Sequence, residues 1–151
     1  MMTTTSGRPF TAEDILEAMA KAVEARGEDY KYIYPKVDTP DYWGEMKSVP
    51  SDSCLYVDPN DGTPSCIVGH AIHTLDPEAF QHLAEAEREN PDTQVALRLI
   101  EEGFLPEGFW VEEAARIAQV AQTAQDSRLT WGEALQIARV ELSLINSSAG
   151  G

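Results

Sequence analysis

The stretch "TWGEALQIARVELSLI", residues 130–145, has the plainest physical reading in the chain. Thr130 and Glu133 stand at the spacing of a capping box, in which each side chain accepts a hydrogen bond from the other residue's backbone N–H. Trp131, Leu135, Ala138, Leu142 and Ile145 then recur at the helical period and line one continuous apolar face. Working backwards, "WVEEAARIAQVAQTAQD" at 110–126 is an alanine-rich helix whose small side chains allow close helix packing. Asp76–Pro77 opens "EAFQHLAEAEREN", and Pro91–Asp92 opens "TQVALRLIEEG" as a further helix. Thr63 and Pro64 supply a cap and a first-turn proline for a helix reaching about Leu75. At the other end, "TAEDILEAMAKAVEARG" has Thr11 and Asp14 as a capping box, with Gly27 as its stop. Ile15, Met19, Ala22 and Val23 form its apolar stripe.

Two short segments break this pattern. "YKYIYP", residues 30–35, alternates Tyr30, Tyr32 and Tyr34 with Lys31 and Ile33, a strand pattern ended by proline. "CLYV", residues 54–57, reads as a second short strand followed by the turn "DPNDG". Between them, residues 36–53 read as a long loop carrying Tyr42 and Trp43. The expected fold is therefore mainly α (α+β): about five to six helices with a small two-stranded β element in the N-terminal third. At 151 residues the chain suits one globular domain, expected over 11–146, between a flexible arm (1–10) and a flexible tail (147–151).

Charge narrows the function classes. The chain has 11 basic and 26 acidic residues, a net −15. Up to Thr63 there are 6 basic and 12 acidic residues, and beyond it 5 and 14, so the acidity is spread rather than a tail. Such a surface repels phosphates and anionic lipid, which argues against direct nucleic-acid binding and favours a protein partner with a basic surface. No apolar run approaches the length that spans a bilayer, and the N-terminal residues lack a secretion signal's apolar core. With two lone cysteines, the expected compartment is a reducing cytoplasm, which argues against a Cys54–Cys66 disulfide.

One stretch concentrates chemistry-bearing residues. "PSCIVGHAIH", residues 64–73, holds Cys66, His70 and His73. On a helical wheel at 100° per residue they fall within about 40° of one another's mean direction, opposite the stripe of Ile67, Val68, Ala71, Ile72 and Leu75. A thiolate and two imidazoles on one face are zinc-type ligands, with Cys54, or Asp58 or Asp61 of the turn, as a candidate fourth. The spacing matches no established zinc signature, however, and supports a metal- or thiol-dependent enzyme less well than a structural cysteine with solvated histidines. Gly69 lies on the same side of the wheel, and a glycine inside a helix there points to a close backbone neighbour.

Tyr30, Tyr32, Tyr34, Tyr42 and Trp43 form a candidate binding set, because Tyr and Trp dominate interface hot spots. The competing reading makes the tyrosines the covered face of the small sheet. The acidic groups (Glu13, Asp14, Glu17; Glu85, Glu87, Glu89; Glu101, Glu102; Glu112, Glu113) read as solvated helix faces, or alternatively as a DNA mimic that blocks a nucleic-acid-binding protein. The apolar face of the last helix can serve a homo-oligomer as well as a core.

"PSCIVGHAIHTL" together with "AQVAQTAQDSRLTWGEALQIA" resembles small accessory proteins of actinobacteria and their bacteriophages, across most of residues 10–145. The resemblance implies a compact phage-type protein acting in a host bacterial cytoplasm, and it brings no activity or site residue with it. Within that group the Cys and Gly positions look like small packing positions. The expected function is thus a non-enzymatic, acidic accessory protein that binds a host or phage protein.

Overall fold

The computed structural model describes residues 9–33, 36–50, 55–89 and 95–150. They form five α-helices, α1 (Ala12–Arg26), α2 (Ile67–Leu75), α3 (Pro77–Glu89), α4 (Glu112–Asp126) and α5 (Trp131–Gly150). A single 3-10 turn (Ala96–Arg98) and one antiparallel hairpin of β1 (Lys36–Pro40) and β2 (Met46–Pro50) complete the regular structure. The mainly helical class with a small two-stranded element in the N-terminal third is the observed one.

Local chemistry explains the helix ends. The Asp14 amide donates to Thr11 Oγ1 at 3.2 Å while the Thr11 amide donates to Asp14 Oδ2 at 2.9 Å. Thr130 and Glu133 close the same box at the start of α5, at 3.0 and 3.1 Å. Asp76 is buried, and its Oδ1 accepts the Glu78 and Ala79 amides at the start of α3. Gly27, at φ +100°, ends α1 where a side chain would be strained.

α4 lies at the centre. Its buried face (Ala114, Ala115, Ile117, Ala118, Ala121, Ala124) meets α1, α2, α5 and the 3-10 turn. Alanine suits that place because it lets several helices approach at once. Trp131, Ala134, Leu135 and Ala138 of α5, and Ile15, Met19, Ala22 and Val23 of α1, are buried in the same core.

Several expectations need correction. Residues 30–33 are not a strand: the Tyr30 carbonyl accepts the Trp131 amide at 2.8 Å and the Glu28 carbonyl accepts the Gly132 amide at 3.0 Å. The Glu28 and Tyr30 carbonyls thus cap the open N-terminus of α5, and Tyr30 is tied to a helix rather than to a strand. Tyr34, Pro35 and Cys54 lie outside the described residues. The two strands instead fall within 36–50, where a loop is expected, with Lys36 opposite Pro50 and Pro40 opposite Met46.

α2 starts at Ile67, not at Pro64. The Asp58 amide bonds to Thr63 O, the Ser65 amide to Tyr56 O and the Cys66 amide to Leu55 O, at 2.8–3.2 Å. That ladder holds 63–66 extended, so the helix begins only after it. Of the helix expected to open at Pro91–Asp92, residues 91–94 lie outside the described residues; 95–103 hold one 3-10 turn, because the Leu99 carbonyl accepts the Phe104 and Leu105 amides and folds the chain back. The boundaries shift too. Phe10 is buried and bonds in both directions to 109–111, inside the span expected to be an arm, and α5 continues through Gly150 across the expected tail.

Candidate functional site

The Cys–His stretch does not converge. Cys66 is the N-cap of α2, with an extended backbone (φ −81°, ψ 170°), and its Sγ accepts the Gly69 amide at 3.4 Å. The helical wheel assigns it a helical direction that it does not have. Cys66 is a free thiol and fully buried, which gives a substrate no approach to the sulfur. His70 turns toward α5 and meets Trp131 edge to face at 5.4 Å, whereas His73 is exposed and sits edge-on to Phe80 of α3 at 5.0 Å.

Burial, followed by electrostatic repulsion from Arg26 and then His73, lowers the His70 pKa to about 4. The neutral ring is therefore the form at pH 7, and its Nε2 has no hydrogen-bond partner among the described residues. His82 is engaged elsewhere, with Nε2 2.9 Å from Gly103 O. Among the described residues, no group of three or more His, Cys, Asp or Glu is placed to hold a metal ion.

Gly69 behaves as the wheel suggests. A Cβ there would overlap the carbonyl oxygen of Tyr56 and stand 2.9 Å from its carbonyl carbon. Tyr56 is the centre of a buried polar network that the sequence reading missed. Its hydroxyl donates to Gln122 Oε1 at 2.9 Å, and the same oxygen accepts the Ala96 amide at 3.2 Å. Its own amide and that of Val57 donate to the two carboxylate oxygens of Glu87, each at 3.0 Å. Gln125 Oε1 accepts the Ile67 amide at 2.9 Å.

Glu87 is thus not a solvated group, as the Glu85, Glu87, Glu89 cluster suggests; it is buried within the stripe of Ala79, Phe80, Leu83 and Ala84. Its position four residues after Leu83 is the sequence signal that identifies it. Asp14 is likewise committed to a cap, and Glu101 and Glu102 pair with Arg98 at 3.6 and 2.8 Å. Glu13, Glu17, Glu85, Glu89, Glu112 and Glu113 remain exposed.

The aromatic set divides by environment. Tyr30 packs edge-on against Trp131 at 4.7 Å with the Arg26 guanidinium over its ring, and Tyr32 places its hydroxyl among Leu55 and Ser65. Tyr32 thus joins the 30–33 stretch to the 55–66 segment, and Tyr30 joins it to α1 and α5. Tyr42 and Trp43, by contrast, stand at the hairpin tip, 92% and 82% exposed, as an edge-to-face pair at 5.0 Å.

Asp41 shapes that tip. Its Oδ1 accepts the Trp43 and Glu45 amides at 2.8 and 2.9 Å, its amide donates to Glu45 O, and Lys47 lies 3.5 Å from its carboxylate. Gly44 completes the reversal at φ +83°. Ile33 and Met46 are also largely exposed. A second apolar surface follows α5, where Ile137, Val140 and Leu144 face solvent. Beside it a shallow groove of about 480 Å³ opens between Leu16 of α1 and Arg139, Leu142, Ser143, Asn146 and Ser147.

No family model, curated protein or solved structure matches this chain. The functional reading therefore rests on the sequence and the geometry. Among the described residues, no helix is long and apolar enough to cross a membrane.

Proposed function

We propose that this protein is a non-enzymatic binding module that holds a protein partner through the Tyr42–Trp43 hairpin. The observation that carries this reading is the exposure of two large aromatic rings on a tip braced by Asp41. Leaving a Trp and a Tyr in water forgoes the burial that stabilises a fold, and such residues supply most of the energy at protein interfaces. Charge supports the same place. Residues 30–50 carry Lys31, Lys36 and Lys47 against Asp38, Asp41 and Glu45, so this segment is neutral in a chain of net −15. The tip then supplies apolar contact, while the acidic remainder steers a basic partner toward it and repels nucleic acid. In keeping with the resemblance of the 64–75 and 118–138 segments, we place this activity in a phage-type accessory protein of a bacterial cytoplasm.

A photo-crosslinking amino acid placed at position 42, and separately at position 140 on α5, tests the assignment in bacterial cells. A discrete adduct from position 42, absent at position 140, is the expected result. Adducts from 140 alone would move the contact to α5 and remove the hairpin reading.

A further inference from the structure

Glu87 is a carboxylate that the binding reading does not use. It is 6% exposed, and among the described residues it has no ion pair. Its two oxygens are each spent on one backbone amide, Tyr56 N on Oε2 and Val57 N on Oε1. The charged groups of its own helix near it, Glu85, Arg88 and Glu89, are exposed. On the clasped segment, the Tyr56 hydroxyl is committed to Gln122 and the Asp58 carboxylate accepts the Asn60 amide. α4 presents the uncharged Gln122, and the His73 ring of α2 lies against Phe80, near the other end of α3.

Two effects oppose each other here. A buried carboxylate without a cation favours its protonated form, while two amide bonds favour the charged one. Burial dominates and raises the carboxyl to about 7. The protonation states differ in what they can hold: the anion has an acceptor for both amides, whereas the acid keeps one good acceptor, its carbonyl oxygen.

We propose that Glu87 is a proton-operated clasp between α3 and residues 56–57, holding both amides when charged and one when protonated. The proton comes from bulk water and returns to it. The clasp bears on more than two bonds, because the Tyr56 carbonyl accepts the Ser65 amide and lies against Gly69 of α2. A change at Glu87 therefore reaches the first turn of α2 and the 63–66 stretch that leads into it. The inference does not rest on the hairpin reading.

The test is an NMR pH titration of the full chain from pH 5 to 9. It follows the Glu87 carboxyl carbon and the Tyr56 and Val57 amide resonances together. All three should move with a common midpoint near pH 7, and the amide titration should vanish in Glu87→Gln. A carboxyl midpoint in the ordinary range below 5, flat amide shifts, or amide titration that persists in Glu87→Gln would each overturn the proposal. Should Glu87→Gln fail to fold, the coincidence of the carboxyl and amide midpoints in the unaltered protein decides alone.

Discussion

Gly69→Ala separates two physical accounts by sign. Gly inside a helix costs on the order of 1 kcal/mol relative to Ala, so propensity alone makes the alanine variant more stable by about that amount. The structure predicts the reverse. The new Cβ would overlap the Tyr56 carbonyl oxygen, and the obstacle is backbone, which cannot rotate aside as a side chain can. Tyr56 must move, and with it go the Ser65 amide on its carbonyl, the Glu87 carboxylate on its amide and Gln122 on its hydroxyl. Overpacking of this kind costs about 1–3 kcal/mol, and each disturbed hydrogen bond adds about 1 kcal/mol. After the propensity gain is subtracted, the net loss is about 3–5 kcal/mol. For a chain of this size that lowers Tm by roughly 6–20 °C. Urea unfolding followed by far-UV circular dichroism measures it, as a lower midpoint with an unchanged slope. An alanine variant as stable as the parent, or more so, would refute the close approach of Tyr56 to α2.

Further expectations follow from the same contacts. Gly132→Ala should lose about 1–2 kcal/mol in the same assay, because its Cβ would stand 2.9 Å from the Glu28 carbonyl oxygen. The pH dependence should show two opposed contributions. The raised Glu87 pKa gives stability that is present below its ordinary 4.5 and lost as pH rises through about 7. The lowered His70 pKa gives stability that is present above 6.5 and lost as pH falls through about 4. Each amounts to about 1–3 kcal/mol, with the partly exposed His70 at the low end. Unfolding midpoints of Glu87→Gln should therefore fall on acidification from pH 6.5, and those of His70→Asn should fall from pH 5.5 to 8; parallel profiles in both variants would contradict the assignment. Cys66, in a Cys54→Ser background, should react with a thiol reagent only on unfolding, and rapid labelling of the folded chain would mean that α2 does not begin as described.

What the sequence disclosed follows the range of the interactions involved. Helix starts are set by residues three positions apart, so Thr11 with Asp14, and Thr130 with Glu133, were legible without any knowledge of the fold. The apolar stripes of α1 and α5 were legible for the same reason. Tyr30 and Tyr32 misled because alternation along a segment cannot show that the Tyr30 carbonyl goes to the start of α5, a hundred residues away, or that the Tyr32 hydroxyl goes to Leu55 and Ser65. Cys66 misled because a wheel assumes helical backbone, and the ladder to Leu55 and Tyr56 denies it that backbone. Glu87 was hidden among charged neighbours; only its register with Leu83 and Ala84 separates it from Glu85 and Glu89. At the candidate site, sequence found Tyr42 and Trp43 as residue types, and the structure separated them from Tyr30 and Tyr32 by exposure.

The central claim is that Tyr42 and Trp43 make the contact with a partner. Its most direct measurement is the dissociation constant of a crosslinked, purified partner for the parent protein and for Tyr42→Ala with Trp43→Ala. Two hot-spot aromatics removed together should weaken binding by at least about thirtyfold, equivalent to roughly 2 kcal/mol, with no change in the unfolding midpoint. Equal affinity in the double variant, with the loss appearing instead on Glu→Gln changes along the helices, would contradict the hairpin and return the contact to the acidic surface.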